Sequence, residues 1–304
     1  MASISTWIQA FRLRTLPLSL AGILMGSAAA YHHECWDWRI FTLAMVTTVL
    51  FQILSNLAND YGDGVKGTDN ASRIGPQRTV QSGFIRPKAM RNAIVLFSFL
   101  SLGCAGVLIY FGARDMPESI IWMYAGLALF SVLAAITYTV GKRAYGYHGL
   151  GDLMVFLFFG LVSVLGVFSL YAKAFLNENI LLAACVGLLS TAVLNLNNMR
   201  DYQNDREAKK QTLVVKMGPN FAKFYHSLLV LLALVSLATY LVRTDEPIFL
   251  ICGVPAAVLF IHLRKVMSTT NPKEFDPQLK VVALSTFALS ICVWAGFIFL
   301  RYQS

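Results

Sequence analysis

Apolar residues run through this chain in long blocks rather than in alternation. Gaps between charged residues long enough to cross a bilayer yield nine segments: 15–33, 40–59, 92–113, 119–141, 153–172, 179–199, 224–242, 247–263 and 281–300. An α-helix needs about 20 residues to cross about 30 Å of hydrocarbon, and every segment lies near that length, 247–263 being the shortest. Strand-type alternation is absent, which favours a helical bundle over a barrel. The pattern predicts an all-α, polytopic membrane protein with nine transmembrane helices. Ahead of the first, Ile4, Trp7, Ile8 and Phe11 fall at i, i+3, i+4, i+7, just before Arg12 and Arg14. That spacing predicts a short interfacial helix leading to Pro17. Gly22 and Gly26 form a GxxxG pair, which permits close helix packing.

Composition points the same way. Of 304 residues, 57% are hydrophobic and 13% charged, against about 25% charged in an ordinary soluble domain. The net charge of +9 raises the question of nucleic acid. With the N-terminus inside, however, 20 Lys and Arg fall on the cytoplasmic side and five on the other. The positive-inside rule accounts for that imbalance without a polyanionic partner. The five cysteines show no ligand spacing and four lie in apolar segments, so no redox or zinc chemistry is read from them. Arg12 and Arg14 followed by an apolar run ending in Ala28-Ala29-Ala30 resemble a cleavable signal, but eight further segments favour a retained first helix.

The polar chemistry gathers at the ends of two segments. After twenty residues without a charge come Asn56, Asn59, Asp60, Asp63 and Asp69; Asn56, Asn59/Asp60 and Asp63 share one helical face. Alone, such an acidic helix end could merely mark the membrane boundary. The pattern Asn56-x3-Asp60-Tyr61 nevertheless recurs 141 residues later as Asn197-x3-Asp201-Tyr202, with Asp205 beyond it. The two copies close the second and sixth segments, four crossings apart and so on one side. The whole chain, 1–304, reads as one transmembrane domain with an internal pseudo-repeat.

Carboxylates and amides of this kind suit a hard divalent cation such as Mg²⁺. Each copy is followed by a basic loop, with Arg73, Arg78, Arg86, Lys88 and Arg91 after the first and Arg206, Lys209, Lys210, Lys216 and Lys223 after the second. Acidic clusters with basic loops fit a diphosphate held through metal, while the apolar bundle accommodates a long isoprenoid tail. Tyr61, Tyr138 and Tyr202 are placed to stabilise an allylic cation by cation–π attraction. The implied reaction is alkylation of an acceptor by a polyprenyl diphosphate. Between the fourth and fifth segments, residues 138–152 carry four glycines, three tyrosines and a histidine. They form either a simple helix–helix turn or a loop that comes close to a ligand.

The paired motifs resemble the UbiA superfamily of intramembrane aromatic prenyltransferases. Supporting stretches are Arg14-Thr-Leu-Pro17, Asn59-Asp-Tyr-x-Asp63 with Gly67-x-Asp69, Gly75-x2-Arg78-x2-Gln81-Ser-Gly83, Gly146-Tyr-His-Gly-Leu-Gly151 and Asn197-Asn-x-Arg-Asp201-x3-Asp205 with Thr212-Leu213. The resemblance covers most of residues 10–220. Within the superfamily it points to the branch that prenylates 1,4-dihydroxy-2-naphthoate with loss of CO₂ and diphosphate, giving demethylmenaquinone. It implies that Asp60, Asp63, Asp201 and Asp205 bind Mg²⁺-diphosphate, with Asn56, Asn59 and Asn197 orienting it. Asp69 would bind metal or hold the loop, and Arg78 and Lys210 would grip phosphate. Tyr138, His148 and Asp152 would face the aromatic acceptor. The chain departs from the family at Val140-Gly141-Lys142, at Asp152 in place of Glu, and at Lys209-Lys-Gln-Thr212. The expected setting is the bacterial cytoplasmic (inner) membrane, with the site opening to the cytoplasm. Oligomeric state and prenyl length are not legible. The competing readings are another acceptor (4-hydroxybenzoate, homogentisate or haem), a cation transporter or channel with the clusters as ion sites, and a lipid-binding protein without catalysis.

Overall fold

The computed structural model describes residues 2–68, 74–174, 176–243 and 247–303, without the side chains of residues 247 and 248. Among these residues nine helices are long and apolar enough to span a membrane. The chain starts with α1 (Ile4–Phe11), the expected short helix, and continues through α2 (Leu16–His32), α3 (Trp38–Lys66), α4 (Pro87–Ala113), α5 (Glu118–Thr137) and α6 (Gly151–Ala172). It closes with α7 (Ile180–Arg200), α8 (Tyr202–Glu207), α9 (Leu213–Met217), α10 (Pro219–Val242), α11 (Gly253–Ser268) and α12 (Phe275–Gln303).

Several helices outrun the charge-free segments that announce them. Charge ends a hydrocarbon span, but a helix ends only where its backbone does. Thus α3 carries the first motif inside its last three turns and stops at Gly67. There φ of 71° lets the Gly67 amide turn back to the carbonyls of Asp63 and Gly64. The fourth span is shorter than its segment: the helix stops at Thr137, and Tyr138 begins the loop. In α6, residues Phe156–Gly166 form a wide π turn. Gly22 and Gly26 of α2 lie against it so closely that a Cβ would strike Ser163 and the Val164 carbonyl. The GxxxG pair thus does what its spacing suggests.

Burial sorts the spans. In α2 every residue from Leu18 to Ala30 except Leu20 is buried, and α7 is buried along most of its length. They form the centre, packed with α6, α10 and α12. By contrast α4 and α5 are peripheral and turn Phe99 (72% exposed) and Trp122 (68% exposed) outward, as lipid-facing helices do. A smaller core joins Ala10, Leu54, Leu57, Met90 and Ile94, with Trp7 and Phe11 of α1 packed onto it. Apolar packing therefore holds α1 to α3 and α4 at the end of the bundle that carries both motifs.

Candidate active site

The two motifs meet. The Asn204 amide donates to the Thr68 carbonyl at 2.9 Å, joining the residue after α3 to α8. Around that joint lie Asp63, Asp205, Lys210 and Tyr147. The Tyr147 hydroxyl donates to Asp63 Oδ1 at 2.8 Å and shares a 2.5 Å hydrogen bond with Thr68 Oγ1. Lys210 Nζ stands 3.6 Å from Asp205 Oδ1. Burial pushes the Asp205 carboxyl up to about 6, opposed by Lys210 and reinforced by Asp201 and Asp63. Burial also disfavours the Lys210 ammonium, but Asp63 and Asp205 outweigh it and hold its pKa above the ordinary range.

The first acid of each motif is handled differently from the second. Asp60 is buried, and its Oδ2 accepts from the Thr79 amide (3.0 Å) and hydroxyl (2.7 Å), while Oδ1 accepts from the Val80 amide (3.1 Å). Asp60 therefore anchors the loop that carries Arg78. Asp201 accepts from Arg200 Nε (2.9 Å) and Nη2 (2.7 Å), and Arg200 Nη1 reaches Asp276 Oδ1 at 2.5 Å. Arg14 lies within electrostatic reach of Asp276, Arg200 and Arg78. Arg12, Arg14 and Arg78 line a cleft of about 290 Å³ with Asp60, Gln77 and Thr79. The first motif thus contributes Asp60 to this basic cleft and Asp63 to the cluster with Asp205 and Lys210.

Several expected residues serve elsewhere. The Asn56 amide donates to the Phe11 carbonyl (3.0 Å) and Thr15 Oγ1 (3.1 Å), fixing the joint between α1 and α2. Asn197 Oδ1 accepts from Arg200 Nη2 at 2.7 Å, and Asn59 Oδ1 accepts a long 3.4 Å bond from Thr139. Tyr61 and Tyr202 pack onto the two apolar cores rather than into the cleft. Each follows its Asp by one residue, about 100° around the helix, so the two side chains diverge. His148 is exposed; its carbonyl, not its ring, is engaged, accepting from Lys216 Nζ at 2.9 Å. Tyr138 does reach the site: burial pushes its hydroxyl up to about 12, Lys210 opposes, and Asp63 and Asp152 act in the same direction as burial. Asp152 is buried, hydrogen-bonded to Tyr225 of α10, with Oδ2 lacking a hydrogen-bond partner among the described residues. Asp69 lies outside the described residues.

Sequence reasoning missed Tyr147, Arg200, Asp276 and the site role of Arg14. Arg14 stands in a quoted motif and Tyr147 in the glycine-rich loop, but nothing in their spacing pointed at Asp63 or Arg200. Arg200 carried a readable signal, being the one basic residue inside the second motif.

Metal fits this chemistry. Asp205 Oδ2 is buried without a hydrogen-bond partner among the described residues, an orphaned anionic oxygen beside a second carboxylate. No three acidic, His or Cys side chains gather to hold an ion among the described residues. Mg²⁺ is ordinarily bound by one or two carboxylates, with substrate phosphate and water completing its octahedron, so a carboxylate pair suffices.

The model of the UbiA prenyltransferase family matches residues 19–287. The chain is 41% identical over 275 residues to the 1,4-dihydroxy-2-naphthoate octaprenyltransferase of Escherichia coli, covering 90% of this chain and 89% of the relative. It is 36% identical to the enzyme of the same name from Haemophilus influenzae, covering 95% and 94%. Among solved structures, a UbiA homolog from Aeropyrum pernix superposes with a TM-score of 0.66 at 15% identity, over 99% of this chain and 100% of that one. A homolog from Archaeoglobus fulgidus bound to DMAPP and Mg²⁺ gives 0.58 at 14%, over 93% and 98%.

Proposed function

This chain belongs to the UbiA prenyltransferase family and is an integral membrane aromatic prenyltransferase, and from that premise we propose its reaction. It transfers a polyprenyl group from polyprenyl diphosphate to 1,4-dihydroxy-2-naphthoate. The allylic C–O bond breaks with its electron pair leaving on diphosphate. The ring carbon bearing the carboxylate bonds to the prenyl carbon, the C–CO₂ bond returns its pair to the ring, and CO₂ departs. The product is the quinol that oxidises to demethylmenaquinone.

The observation that carries this reading is the convergence of Asp63 and Asp205, one from each motif, on the single buried Lys210 at one end of an apolar bundle. The names of the relatives support the acceptor. Asp63 and Asp205 hold Mg²⁺, which supplies neutralising charge to the diphosphate when bound. Arg14, Arg78, Arg200 and Lys210 stabilise the charge that develops on the leaving group. Asp60 and Asp201 act through the groups they hold, the Arg78 loop and the Arg200 guanidinium. Tyr138, within electrostatic reach of Lys210, Asp63 and Asp152, faces the incoming ring. The 1–304 chain works as one domain whose two motif regions are halves of one site. That site opens to the cytoplasmic face of a bacterial inner membrane.

Purified protein given Mg²⁺ and a labelled polyprenyl diphosphate, with each aromatic acid in turn and products identified by mass, tests the proposal. The expected product is the decarboxylated prenyl naphthalenediol. Turnover of 4-hydroxybenzoate but not dihydroxynaphthoate overturns the acceptor, and absence of Mg²⁺-dependent diphosphate release overturns the reaction.

A further inference from the structure

Tyr147 touches two separate stretches of chain, 63–68 and 210–211. Its hydroxyl bonds Asp63 and Thr68 on the first motif side. Its carbonyl accepts from the Gln211 amide at 3.0 Å on the second motif side. Its ring is within cation–π reach of two ammonium groups, Lys66 Nζ at 4.1 Å and Lys210 Nζ at 5.5 Å from the centroid. Because a carboxylate only accepts, the direction of the chain is fixed: Thr68 donates to Tyr147, and Tyr147 donates to Asp63.

The same residue belongs to the loop that carries Tyr138 and leads into Asp152. The Gly146 amide, immediately before Tyr147, donates to the Tyr138 carbonyl at 3.0 Å. A Cβ on Gly146 would meet both the Tyr138 carbonyl and its ring, so the loop has no slack at this contact. A shift of Asp63 therefore pulls on Tyr147, and a shift of Tyr147 displaces Tyr138.

We propose that Tyr147 is a positioning residue that couples the two substrate sites, so that filling the Mg²⁺-diphosphate site raises affinity for the aromatic acid held by the 138–152 loop. This inference rests on the reaction proposed above. Coupling is reciprocal: the bound acid raises affinity for the donor by the same factor.

The test is binding, not turnover. Protein in nanodiscs is titrated with 1-hydroxy-2-naphthoate, a fluorescent acid that does not oxidise to a quinone, with and without Mg²⁺ and geranyl S-thiolodiphosphate, an unreactive donor. In the wild type the donor analogue should tighten naphthoate binding at least about fivefold, the lower end of ordinary allosteric coupling. Tyr147→Phe keeps the ring beside Lys66 and Lys210 but loses both hydroxyl bonds. Its gain, taken as the ratio of naphthoate affinities with and without donor within the same variant, should fall below about twofold. Thr68→Val leaves Tyr147 intact and should shrink the gain in the same direction. A gain in Tyr147→Phe equal to the wild type, or no gain in the wild type, overturns the proposal. If the wild type prenylates a different aromatic acid, the acceptor assignment falls, and the same titration with that acid still decides the role of Tyr147.

Discussion

Asn56-x3-Asp60 and Asn197-x3-Asp201 look like copies, yet the protein answers them with opposite chemistry. Asp60 is neutralised by dipoles: two backbone amides and a threonine hydroxyl from its own following loop. Asp201 is neutralised by a full charge, Arg200, which is itself buried and shared with Asp276 of α12. One helical turn on the contrast narrows: Asp63 accepts from the Tyr147 hydroxyl and Asp205 pairs with Lys210, but both acids act electrostatically on Lys210. The first copy is a hydrogen-bonded scaffold that places a loop. The second is a charged network that ties α7 to α12 and α8 to its basic loop. A duplicated pattern thus specifies where carboxylates stand, not what each one does.

The largest expected effect is at the acids the two copies contribute jointly. Asp63→Asn and Asp205→Asn should each lower kcat by about 10²–10³-fold, the scale seen when one group stabilising transition-state charge is removed. Single-turnover rates in detergent measure this. If either variant keeps a tenth of wild-type rate, that carboxylate does not hold the metal, and the pairing of the copies breaks. Next come the neutralising groups. Arg200→Ala leaves Asp201 buried without its cation, which should cost about 3–5 kcal/mol, the usual penalty for breaking a buried pair. Thr79→Val removes only one neutral bond from Asp60 and should cost about 0.5–1.5 kcal/mol. Thermal unfolding of both variants in the same detergent checks the order; equal losses would erase the distinction between the copies.

Most of the fold was legible because the membrane sets one length scale and demands self-satisfied backbones. The nine charge-free segments announced the nine spans, and Ile4, Trp7, Ile8 and Phe11 announced α1. Helix ends were less visible: helical spacing carries α3 through Asp60 to Asp63, but nothing about charge placement marks its end at Lys66. At the site, Asp63, Asp205, Lys210 and Tyr138 come within electrostatic reach of one another, and helical spacing and the echo of one motif in the other, both properties of the chain, are what singled them out. Asn56, Tyr61 and Tyr202 pack away from that cluster, because one helix has several faces and only packing against a partner decides which of them is the inside. Tyr147 and Asp276 were out of reach, each 70 residues or more from the group it serves.

A smaller effect separates the copies by pH. The Asp205 carboxyl is raised to about 6 in the folded protein by burial, so its protonated form is favoured relative to the unfolded chain. The stability that this group adds is fully present below its unfolded value and is lost as pH rises through about 6. A bound cation reverses the preference, because it requires the ionised carboxylate. Mg²⁺ should therefore raise the melting temperature of the wild type more at pH 7.5 than at pH 5.5. In Asp205→Asn that difference should shrink. A Mg²⁺ shift independent of pH in the wild type would remove Asp205 from the metal.

The smallest effect expected is the one that most sharply limits the acceptor loop. His148 sits between Tyr147 and Gly149, and a loop histidine beside a substrate is an obvious acid or base. Its ring, however, is exposed, and the residue contributes its carbonyl to Lys216. His148→Ala keeps that carbonyl and should change stability by less than about 0.5 kcal/mol, as surface substitutions do. Turnover should likewise stay within about twofold, far short of the 10²–10⁴-fold owed to a general acid or base. Asp152→Asn offers the contrast, since that carboxylate is buried and bonded to Tyr225 across α10, and its loss should raise the KM for the aromatic acid. A His148→Ala protein that binds both substrates but turns over a hundredfold more slowly would return the ring to the chemistry. It would also show that the loop closes further over the ligands than Tyr147 holds it here.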